Sequence, residues 1–528
     1  MGPEHPLRGK RLLRRPSPAL LPALLLLLLA PVSGQEAAAS GEPPQDSGVY
    51  VIRSIDFSRV GRSLPSALLY HGELKTGERL TGRRNLERYI QRKTQLLINQ
   101  RTLEYAAIAY ALGSPEEDGA IPVQLLVCTR DSFNFFIFPK PLISSNSGLD
   151  ITLKARDYNF LGTMNPLRFD LGYALDYADR SAQKRRFTDG TFTVLLDSDI
   201  PVRLFDLDFN IDFDNEFKFT SNEPFYYKNW TGLSLELPVA FTTATLGFRQ
   251  ITTVNENNAR VFEDSGYDPA LHDEFERVFT YSELFVSWSF PTGVVVGEFG
   301  DLRYSPRLAG GINYRPGSPG WDPGDLRRGL TGSFSHSVGF ERIDWIGNYR
   351  RGLSAHTGND VAYNFRKAEW GMSWNAIVRG HLPLTSFSGI SGRFKFDQII
   401  LGDTNTSAGE VLRGIIDRSV SADIMFSINL DFPLQALLFL PSRWFDKPAL
   451  HFFDFELHIS PILDAALRKP RTENRFIPEA AAGIEIIVFP FFIRQVFIRG
   501  SFALNLRDLI DTGRPGEYEY FVGLDHHY

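Results

Sequence analysis

Residues 205–214 read Phe-Asp-Leu-Asp-Phe-Asn-Ile-Asp-Phe-Asp, with apolar and polar residues in strict alternation. Successive side chains of a β-strand point to opposite faces of the sheet, so this segment predicts a strand with one apolar and one acidic face. The same alternation runs through residues 167–177 and 424–432. Strands of about ten residues or more with this pattern are typical of a transmembrane β-barrel, whose outer face meets lipid and whose lumen is wet.

The first 34 residues have the parts of a secretory signal peptide. Five basic residues lie between Arg8 and Arg15, a leucine-rich run covers residues 19–30, and Val32-Ser33-Gly34 offers small residues for cleavage. A membrane anchor is the alternative, but the apolar run is too short to span a bilayer and no cysteine directly follows it. We therefore expect residues 1–34 to be removed and residues 35–48 to form a disordered lead-in.

The composition fits a barrel and gives no sign of catalysis. Aromatic residues make up 13% of the chain, and its one cysteine, Cys128, cannot form an internal disulfide. Beyond the signal peptide there is no apolar run of about twenty residues, so we expect no transmembrane helix. The sequence contains no phosphate-binding glycine-rich loop, no Gly-x-Ser-x-Gly elbow and no His/Cys metal spacing. We therefore expect no enzymatic activity, no cofactor and no metal site.

A small α/β domain is predicted at residues 49–131. Its elements follow the order β-α-α-β-β: a strand at 49–57, a short helix at 64–71, a basic helix at 85–95, and strands at 103–112 and 121–130. We expect the last strand to be a free sheet edge. Val123, Leu125 and Val127 would then mark the edge at which an extended polypeptide adds as a further strand. The alternative is a structural spacer at the barrel mouth.

The alternation continues from residue 132 to the end, so residues 132–528 predict an antiparallel transmembrane β-barrel. Eighteen segments carry the pattern, and one of them, residues 133–140, could instead be a linker. Because such barrels normally have an even number of strands, we expect about sixteen. The fold class is therefore mainly β, a barrel preceded by one small α/β domain.

Several motifs in the barrel region occur in a meaningful order. They are Asp157-Tyr-Asn-Phe-Leu-Gly162, Val411-Leu-Arg-Gly-Ile415, Asn429-Leu-Asp-Phe-Pro433, Phe452-Phe-Asp454, and a terminal alternation of Tyr520, Val522, Leu524, His526 and Tyr528. Together with the β-α-α-β-β module and the signal peptide, they resemble the BamA/TamA-type outer-membrane surface-antigen superfamily, whose periplasmic modules are called POTRA domains. The chain departs from the usual pattern in having one such module and in the residues that flank Arg413 and Gly414.

The resemblance implies that Arg413 and Gly414 lie on a loop that folds back into the lumen, with Asp454 on the facing barrel wall. Strand parity places Asp454 and Asp431 on the inward, polar face. Arginine suits such a site because its planar fork pairs a carboxylate through two hydrogen bonds. Removing one partner should cost about 3–5 kcal/mol in a desolvated site and about 0–1 kcal/mol in a flooded one. The alternative is an ordinary loop arginine and an unrelated lumen charge.

The resemblance also implies a bacterial outer-membrane protein with its α/β domain in the periplasm. Such a protein would receive unfolded β-strand clients at that domain and insert them through the seam between the first and last barrel strands, where the terminal alternation acts as a strand signal. A two-partner-type polypeptide secretion pore and a passive porin or surface antigen are the alternatives. The expected partners are outer-membrane lipids, unfolded outer-membrane or secreted polypeptides, and periplasmic chaperones or accessory lipoproteins, but not nucleic acid.

Overall fold

The computed structural model describes residues 48–144, 148–175, 190–204, 207–220, 225–239, 242–254, 278–314, 329–402, 406–407, 411–415, 421–471, 473–513 and 518–524. The predicted signal peptide and nearly all of the lead-in lie outside these residues. Across the described ranges, no helix is both long and apolar enough to cross a membrane.

The described chain begins with an α/β domain of four strands and two helices. Its elements are β1 (Val49–Val60), α1 (Pro65–His71), β2 (Arg79–Thr81), α2 (Arg83–Asn99), β3 (Leu103–Leu112) and β4 (Ile121–Asp131). The sheet order is β2-β1-β4-β3, with β4 parallel to β1 and antiparallel to β3. Helix α2 buries Leu86, Ile90 and Leu97 on one stripe, because residues three, four and seven apart share a helix face.

A closed barrel follows the domain. Its strands are β5 (Phe135–Ser144), β6 (Gly148–Asp157), β7 (Leu167–Leu175), β8 (Thr191–Leu204), β9 (Leu207–Thr220), β10 (Tyr226–Val239), β11 (Thr242–Val254), β12 (Val278–Val295), β13 (Asp301–Tyr314), β14 (Gly329–Ile346), β15 (Tyr349–Asn364), β16 (Glu369–Thr385) and β17 (Ser388–Leu401). The strands β18 (Thr406–Ser407) and β19 (Ser421–Ala422) pair only with each other. The wall continues with β20 (Ile424–Asp431), β21 (Leu434–Phe439), β22 (Phe455–Lys469), β23 (Ile477–Pro490), β24 (Ile498–Asn505) and β25 (Tyr518–Leu524).

Two short helices join the last strands. They are α3 (Pro441–Trp444), which precedes β22, and α4 (Leu506–Thr512), which lies between β24 and β25. A 3₁₀ helix, Pro448–Phe453, lies between α3 and β22, and another, Phe160–Gly162, lies between β6 and β7. The turn at Phe160–Gly162 faces the α/β domain, so we call this end of the barrel the domain end.

The described barrel has more strands than the sequence count of about sixteen. Nineteen strands form its wall, from β5 round to β25, which closes against β5. Strands β20 and β21 share one position, since each pairs with both β17 and β22, so the wall has eighteen positions. One of the strands beyond sixteen is β5, whose residues the sequence alone allowed to be a linker. The predicted fold class, an antiparallel barrel behind one small α/β domain, is confirmed.

Side-chain exposure follows the alternation that predicted the barrel. On β7, Phe169 and Leu171 are exposed on the outer face, and on β9 Ile211 is exposed in the same way. On β20 the opposite parity is buried: Met425, Ser427 and Asn429 are all at most 2% exposed and face the lumen. The wall is therefore apolar outside and largely polar inside. Phe205 and Asp206, which open the decisive stretch, lie outside the described residues.

Some proline residues inside the wall coincide with interruptions of its hydrogen-bond ladder, whereas Pro201 and Pro238 lie in continuous ladders. Pro433 separates β20 from β21, and Pro461 lies opposite that break on β22. The β12–β13 ladder likewise lacks pairs between Ser287↔Arg307 and Phe290↔Tyr304, next to Pro306, and its register shifts after Pro291. The physical reason is that proline has no backbone N–H to donate to a neighbouring strand.

Candidate functional site

A short segment, residues 411–415, lies inside the barrel, where we call it the lumen loop. Its apolar residues Val411, Leu412 and Ile415 are buried and cluster with Met425 of β20 and Ala466 of β22. Both partners belong to the inward-facing parity of their strands. The lumen loop is therefore fixed to the wall by apolar packing as well as by the polar contacts described next.

Arg413 is the polar anchor of the lumen loop. Its guanidinium donates from Nε to Asp464 Oδ2 at 3.0 Å and from Nη2 to Asp464 Oδ1 at 2.7 Å, and its backbone N–H reaches the same carboxylate at 2.8 Å. Nη1 donates to Asp431 Oδ1 at 2.6 Å, and Glu485 lies 3.7 Å away. Arg413 is 5% exposed and Asp464 1%. The site is therefore desolvated, and a bidentate, charge-assisted hydrogen bond between Arg413 and Asp464 lies at its centre.

The predicted pairing of Arg413 with Asp454 is wrong. Asp454 lies at the domain end just before β22 and accepts hydrogen bonds from Ser442 N at 3.0 Å and from His451 Nδ1 at 2.9 Å, as well as from the Ser442 hydroxyl. Asp464 lies ten residues after Asp454, on β22, and has the same parity. It therefore also faces the lumen, but about 33 Å further from the domain end along the strand. Parity identifies the face of the strand, but it carries no information on height. The second predicted partner, Asp431, does contact Arg413.

Gly414 connects the lumen loop to the last strand. Its backbone N–H donates to Glu519 Oε2 on β25 at 2.9 Å. Its φ is +90°, and a Cβ at this position would lie 3.0 Å from the backbone carbon and the Cβ of Ala503 on β24. Glycine is thus required both by the left-handed backbone and by the close approach to the wall.

A third contact holds the start of the lumen loop. The Val411 carbonyl oxygen accepts from Asn429 Nδ2 at 2.8 Å and from Arg393 Nη2 at 3.3 Å, and Arg393 also binds Asn429 Oδ1. These side chains come from β17 and β20. The loop is therefore bound by residues from β17 round to β25, the part of the wall that precedes the closing seam.

The predicted terminal signal is described only in part. Tyr520, Val522 and Leu524 belong to β25, which pairs with β24 over Ile498–Leu504, whereas His526 and Tyr528 lie outside the described residues. Val522 is exposed on the outer face, and Glu519, of the opposite parity, faces the lumen loop. Sequence reasoning missed Glu519, although the same alternation marks it as inward.

The predicted client edge of the α/β domain is also wrong. Val123, Leu125 and Val127 lie on β4, which is paired on both sides, and all three are fully buried in the domain core. Strand β4 enters the middle of the sheet because it pairs in parallel with β1 and antiparallel with β3. In the described sheet, β3 is one end strand and the three-residue β2 is the other, so the long edge belongs to the strand before the predicted one.

The domain is joined to the barrel by the turn that the sequence analysis singled out, residues 157–162. Asn159 is fully buried; its Nδ2 donates to Ser63 Oγ at 2.9 Å and to Asp131 Oδ2 at 3.0 Å, and its Oδ1 accepts from Met164 N. Arg62 forms an ion pair with Asp157 at 3.0 Å. Asn159 therefore connects the end of the domain with the first barrel hairpin.

A second joint is formed by Arg101, whose carbonyl accepts from Ser132, the residue after Asp131. Arg101 packs over the Trp345 ring at 4.2 Å and donates to Asn348 Oδ1 at 3.3 Å and to the Arg494 carbonyl. Burial, together with the nearby Arg494 and Arg350, lowers the pKa of Arg101 to about 9. Asn348 in turn donates to Glu456 on β22 at 2.9 Å. A chain of contacts thus runs from the domain to the strand that carries Asp464.

No cluster of three or more potential metal-binding side chains occurs among the described residues. Comparison with protein-family models finds no match, and no curated protein matches the sequence. Among solved structures, the chain is similar to BamA from Haemophilus ducreyi lacking POTRA domains 1–3, with 14% identity, a TM-score of 0.40, and coverage of 90% of this chain and 85% of that one.

Two further similar structures bear a different name. CdiB from Acinetobacter baumannii has 10% identity, a TM-score of 0.45, and coverage of 90% of this chain and 74% of that one. CdiB from Escherichia coli has 9% identity, a TM-score of 0.40, and coverage of 94% and 93%. At these identities the similarity is one of overall fold.

Proposed function

We propose that this chain is an outer-membrane β-barrel that assembles or translocates other polypeptides, with its α/β domain in the periplasm. The observation that carries the proposal is the lumen loop, which is bound at once to the wall through Arg413 and to the last strand through Gly414. A loop bound to the closing strand ties the contents of the lumen to the seam, which favours a barrel that rearranges over a permanently open pore.

Membrane placement is supported by the outer face of the wall. Large apolar side chains such as Phe169, Leu246 and Leu308 are exposed there on strands from different sectors. In water such a surface would be a severe aggregation hazard, whereas in a bilayer it is the surface that lipid requires. The signal peptide predicted at residues 1–34 supplies the route out of the cytoplasm.

The contacts of the lumen loop link its position to the seam. Glu519 lies on β25, which closes the barrel against β5. Any movement of β25 away from β5 therefore acts on the Gly414–Glu519 hydrogen bond. This coupling favours a barrel whose seam and lumen loop rearrange together, as polypeptide insertion or passage would require.

The α/β domain offers the edge at which an extended client would first bind. Gly113 N donates to Pro122 O, so residues of odd number on β3 direct their peptide groups toward β4. The peptide groups of Ala106, Ile108, Tyr110 and Leu112 therefore point away from the sheet. An extended polypeptide could add there as a fifth strand.

Depletion of the protein tests the proposal in the cell. If the chain assembles barrel proteins, the levels of other folded barrel proteins in the outer membrane should fall while their unfolded forms accumulate. Unchanged barrel proteins with loss of one secreted polypeptide would instead identify a secretion pore. If neither changes and the purified protein gives a high steady conductance in planar bilayers, the chain is a passive porin and the proposal is refuted.

A variant pair tests the role of the β3 edge. Tyr110→Pro removes one outward-facing N–H donor, while Tyr110→Ala removes the same side chain and keeps the donor. We expect site-specific cross-linking of an unfolded barrel polypeptide to β3 to fall only in Tyr110→Pro. Equal cross-linking in both variants would show that clients do not bind by strand addition at this edge.

A further inference from the structure

A cavity of about 600 Å³ lies between helix α2 and the domain end of the barrel. Its walls are one face of α2, the turn between β12 and β13, and the ends of β14 and β15 at their shared turn. Beside the cavity, Asn99 Nδ2 of α2 donates to Asp344 Oδ1 of β14 at 2.9 Å, and Gln95 Nε2 donates to the Trp345 carbonyl at 3.1 Å. Hydrogen bonds therefore fix the two sides of the cavity relative to each other.

The barrel side of the cavity belongs to the outer face of the wall. Arg342 of β14 has the same parity as Phe334, which is exposed on the outer face, and the β14–β15 ladder has no register shift. Arg351 of β15 is opposite Asp344, so it has the outward parity as well. Both arginines line the cavity. The cavity is therefore beside the lipid-facing surface and not in the lumen.

The outer face of β14 changes from apolar to charged at the cavity. Val338 and Phe340 are followed on this face by Arg342 and Asp344. In a membrane-spanning barrel the outward apolar band ends where the lipid headgroups begin. The cavity therefore lies at the level of the headgroups, on the side of the bilayer that carries the α/β domain.

The cavity has an excess of positive charge. Its charged lining consists of four arginines and two acids, which are Arg88, Arg92, Arg342, Arg351, Glu298 and Asp344. The two barrel arginines each lie near one of the acids. Arg342 Nε is 3.4 Å from Asp344 Oδ2, and Arg351 Nη2 is 3.6 Å from Glu298 Oε1. The excess of two charges is therefore on the helix side.

Arg88 and Arg92 of α2 supply this excess. They are four residues apart, so they share a helix face, and both are exposed. Arg88 donates to Asn85 Oδ1 at 3.4 Å, but in the described part of the chain neither arginine forms an ion pair. Two guanidinium groups can therefore donate to an anion that has several acceptor oxygens, as a phosphate group has.

We propose that this cavity binds the phosphate group of an anionic phospholipid. The headgroup lies between the arginines of α2 and those of the wall, and the acyl chains follow the apolar outer face from Phe340 away from the domain end. A lipid fits better than an acidic peptide because the cavity adjoins the surface that lipid covers. The bound lipid connects the α/β domain to the bilayer. The inference goes beyond the proposed function and depends only on its membrane placement.

Native mass spectrometry of the purified protein in a non-ionic detergent tests the site by counting bound lipid molecules. The probes are phosphatidylglycerol and phosphatidylcholine with identical acyl chains. We expect the unchanged protein to bind phosphatidylglycerol about tenfold more tightly, a preference that two partly exposed charge contacts can supply. Arg88→Gln/Arg92→Gln should remove this preference, and because glutamine is a good helix former α2 should remain folded.

The matched control is Arg79→Gln/Arg83→Gln, which removes two exposed positive charges from the same domain outside the cavity. It should keep the preference of the unchanged protein. The same preference in all three proteins would overturn the inference. An equal loss in the two variants would also overturn it, because general charge attraction would then explain the binding.

Competition separates a lipid from other anions. Inorganic phosphate and glycerol 3-phosphate lack acyl chains, and a glutamate-rich peptide lacks phosphate. We expect none of them to displace phosphatidylglycerol when each is added at the concentration of the lipid. Displacement by either phosphate compound would show a site for a soluble phosphate, and displacement by the peptide would show a docking site for an acidic polypeptide. Each of these results would overturn the assignment to a lipid, while the depletion experiment would still decide the proposed function.

Discussion

Arg413 of the lumen loop donates hydrogen bonds to both carboxylate oxygens of Asp464, with Nη2 2.7 Å from Oδ1 and Nε 3.0 Å from Oδ2. The backbone N–H of Arg413 binds the same carboxylate, so both the side chain and the main chain of the loop depend on one wall residue. Because both groups are buried, the contact fixes the loop at one position on the wall.

The first prediction concerns this pair. Arg413→Ala and Asp464→Ala should each destabilise the folded barrel by about 3–5 kcal/mol, because each removes the bidentate partner of a buried charge, although Arg413 keeps its contact with Asp431 in Asp464→Ala. The double variant should be little worse than either single one. Heat-modifiable migration on gels measures the folded fraction. Asp454→Ala is the matched control: its loss should add to that of Arg413→Ala, and non-additive behaviour of that combination would contradict the assignment of Asp464.

The second prediction concerns Gly414. Gly414→Ala should cost about 1–2 kcal/mol from the left-handed backbone, with a further penalty from the contact with Ala503. Gly310→Ala on β13 is the control, because a Cβ there meets nothing within 4 Å. Protease cleavage within the lumen loop should therefore increase in Gly414→Ala only. Equal protection in the two variants would show that the loop tolerates a side chain at residue 414.

The third prediction concerns the joint at Asn159. Asn159→Ala removes buried hydrogen bonds to Ser63 and Asp131 and should weaken domain docking by about 1–3 kcal/mol. Trypsin cleavage at Arg62 should become faster as a result. Asn229→Ala, which removes a hydrogen bond to Asn215 on the barrel wall away from the joint, should have little effect on this cleavage. If both variants are cleaved at the same rate as the unchanged protein, Asn159 does not hold the joint.

The fourth prediction concerns pH. His71 of α1 donates from Nε2 to the Thr163 carbonyl at 3.0 Å, and burial lowers its pKa below the ordinary 6.5 despite the opposing hydrogen bonds to Thr163 and Asn165. The undocked state therefore binds more protons as the pH falls below about 6.5, and docking weakens there.

Amide exchange of residues 160–164, corrected for its intrinsic pH dependence, measures this effect. Protection should be lower at pH 5.5 than at pH 7.5 in the unchanged protein. In His71→Gln, which keeps a donor but does not titrate, protection should be the same at both values. A pH dependence that persists in His71→Gln would assign the effect to another group.

The alternation of the sequence predicted the architecture because one physical rule acts at every wall position. Lipid outside and polar groups inside require opposite parities on each strand, and Phe169 and Asn429 obey that rule as Asp464 does. The same rule could not choose Asp464 over Asp454, since both have the inward parity and differ only in height. Height depends on where the lumen loop packs, which in turn depends on the apolar contacts of Leu412 and Ile415.

Sheet order was the other element that the sequence did not determine. The last strand of the α/β domain was expected at the edge, but β4 lies between β1 and β3. The order of the strands along the chain does not decide which strand lies at the edge. The second strand of a hairpin has one free side, and that side can pair in parallel with an earlier strand. The pattern of β4 did carry a signal, since buried positions at Val123, Leu125 and Val127 sit beside the apolar Leu126. Apolar residues on both faces are more typical of a central strand than of an edge.

Fractionation of cells tests the central claim, that the apolar outer face of the wall lies in a membrane. The mature chain should remain with the outer membrane after washing with alkaline carbonate and should require detergent for release. Once released, it should migrate faster on gels before heating than after. Recovery of the intact, folded chain from the aqueous periplasmic fraction without detergent would contradict this account.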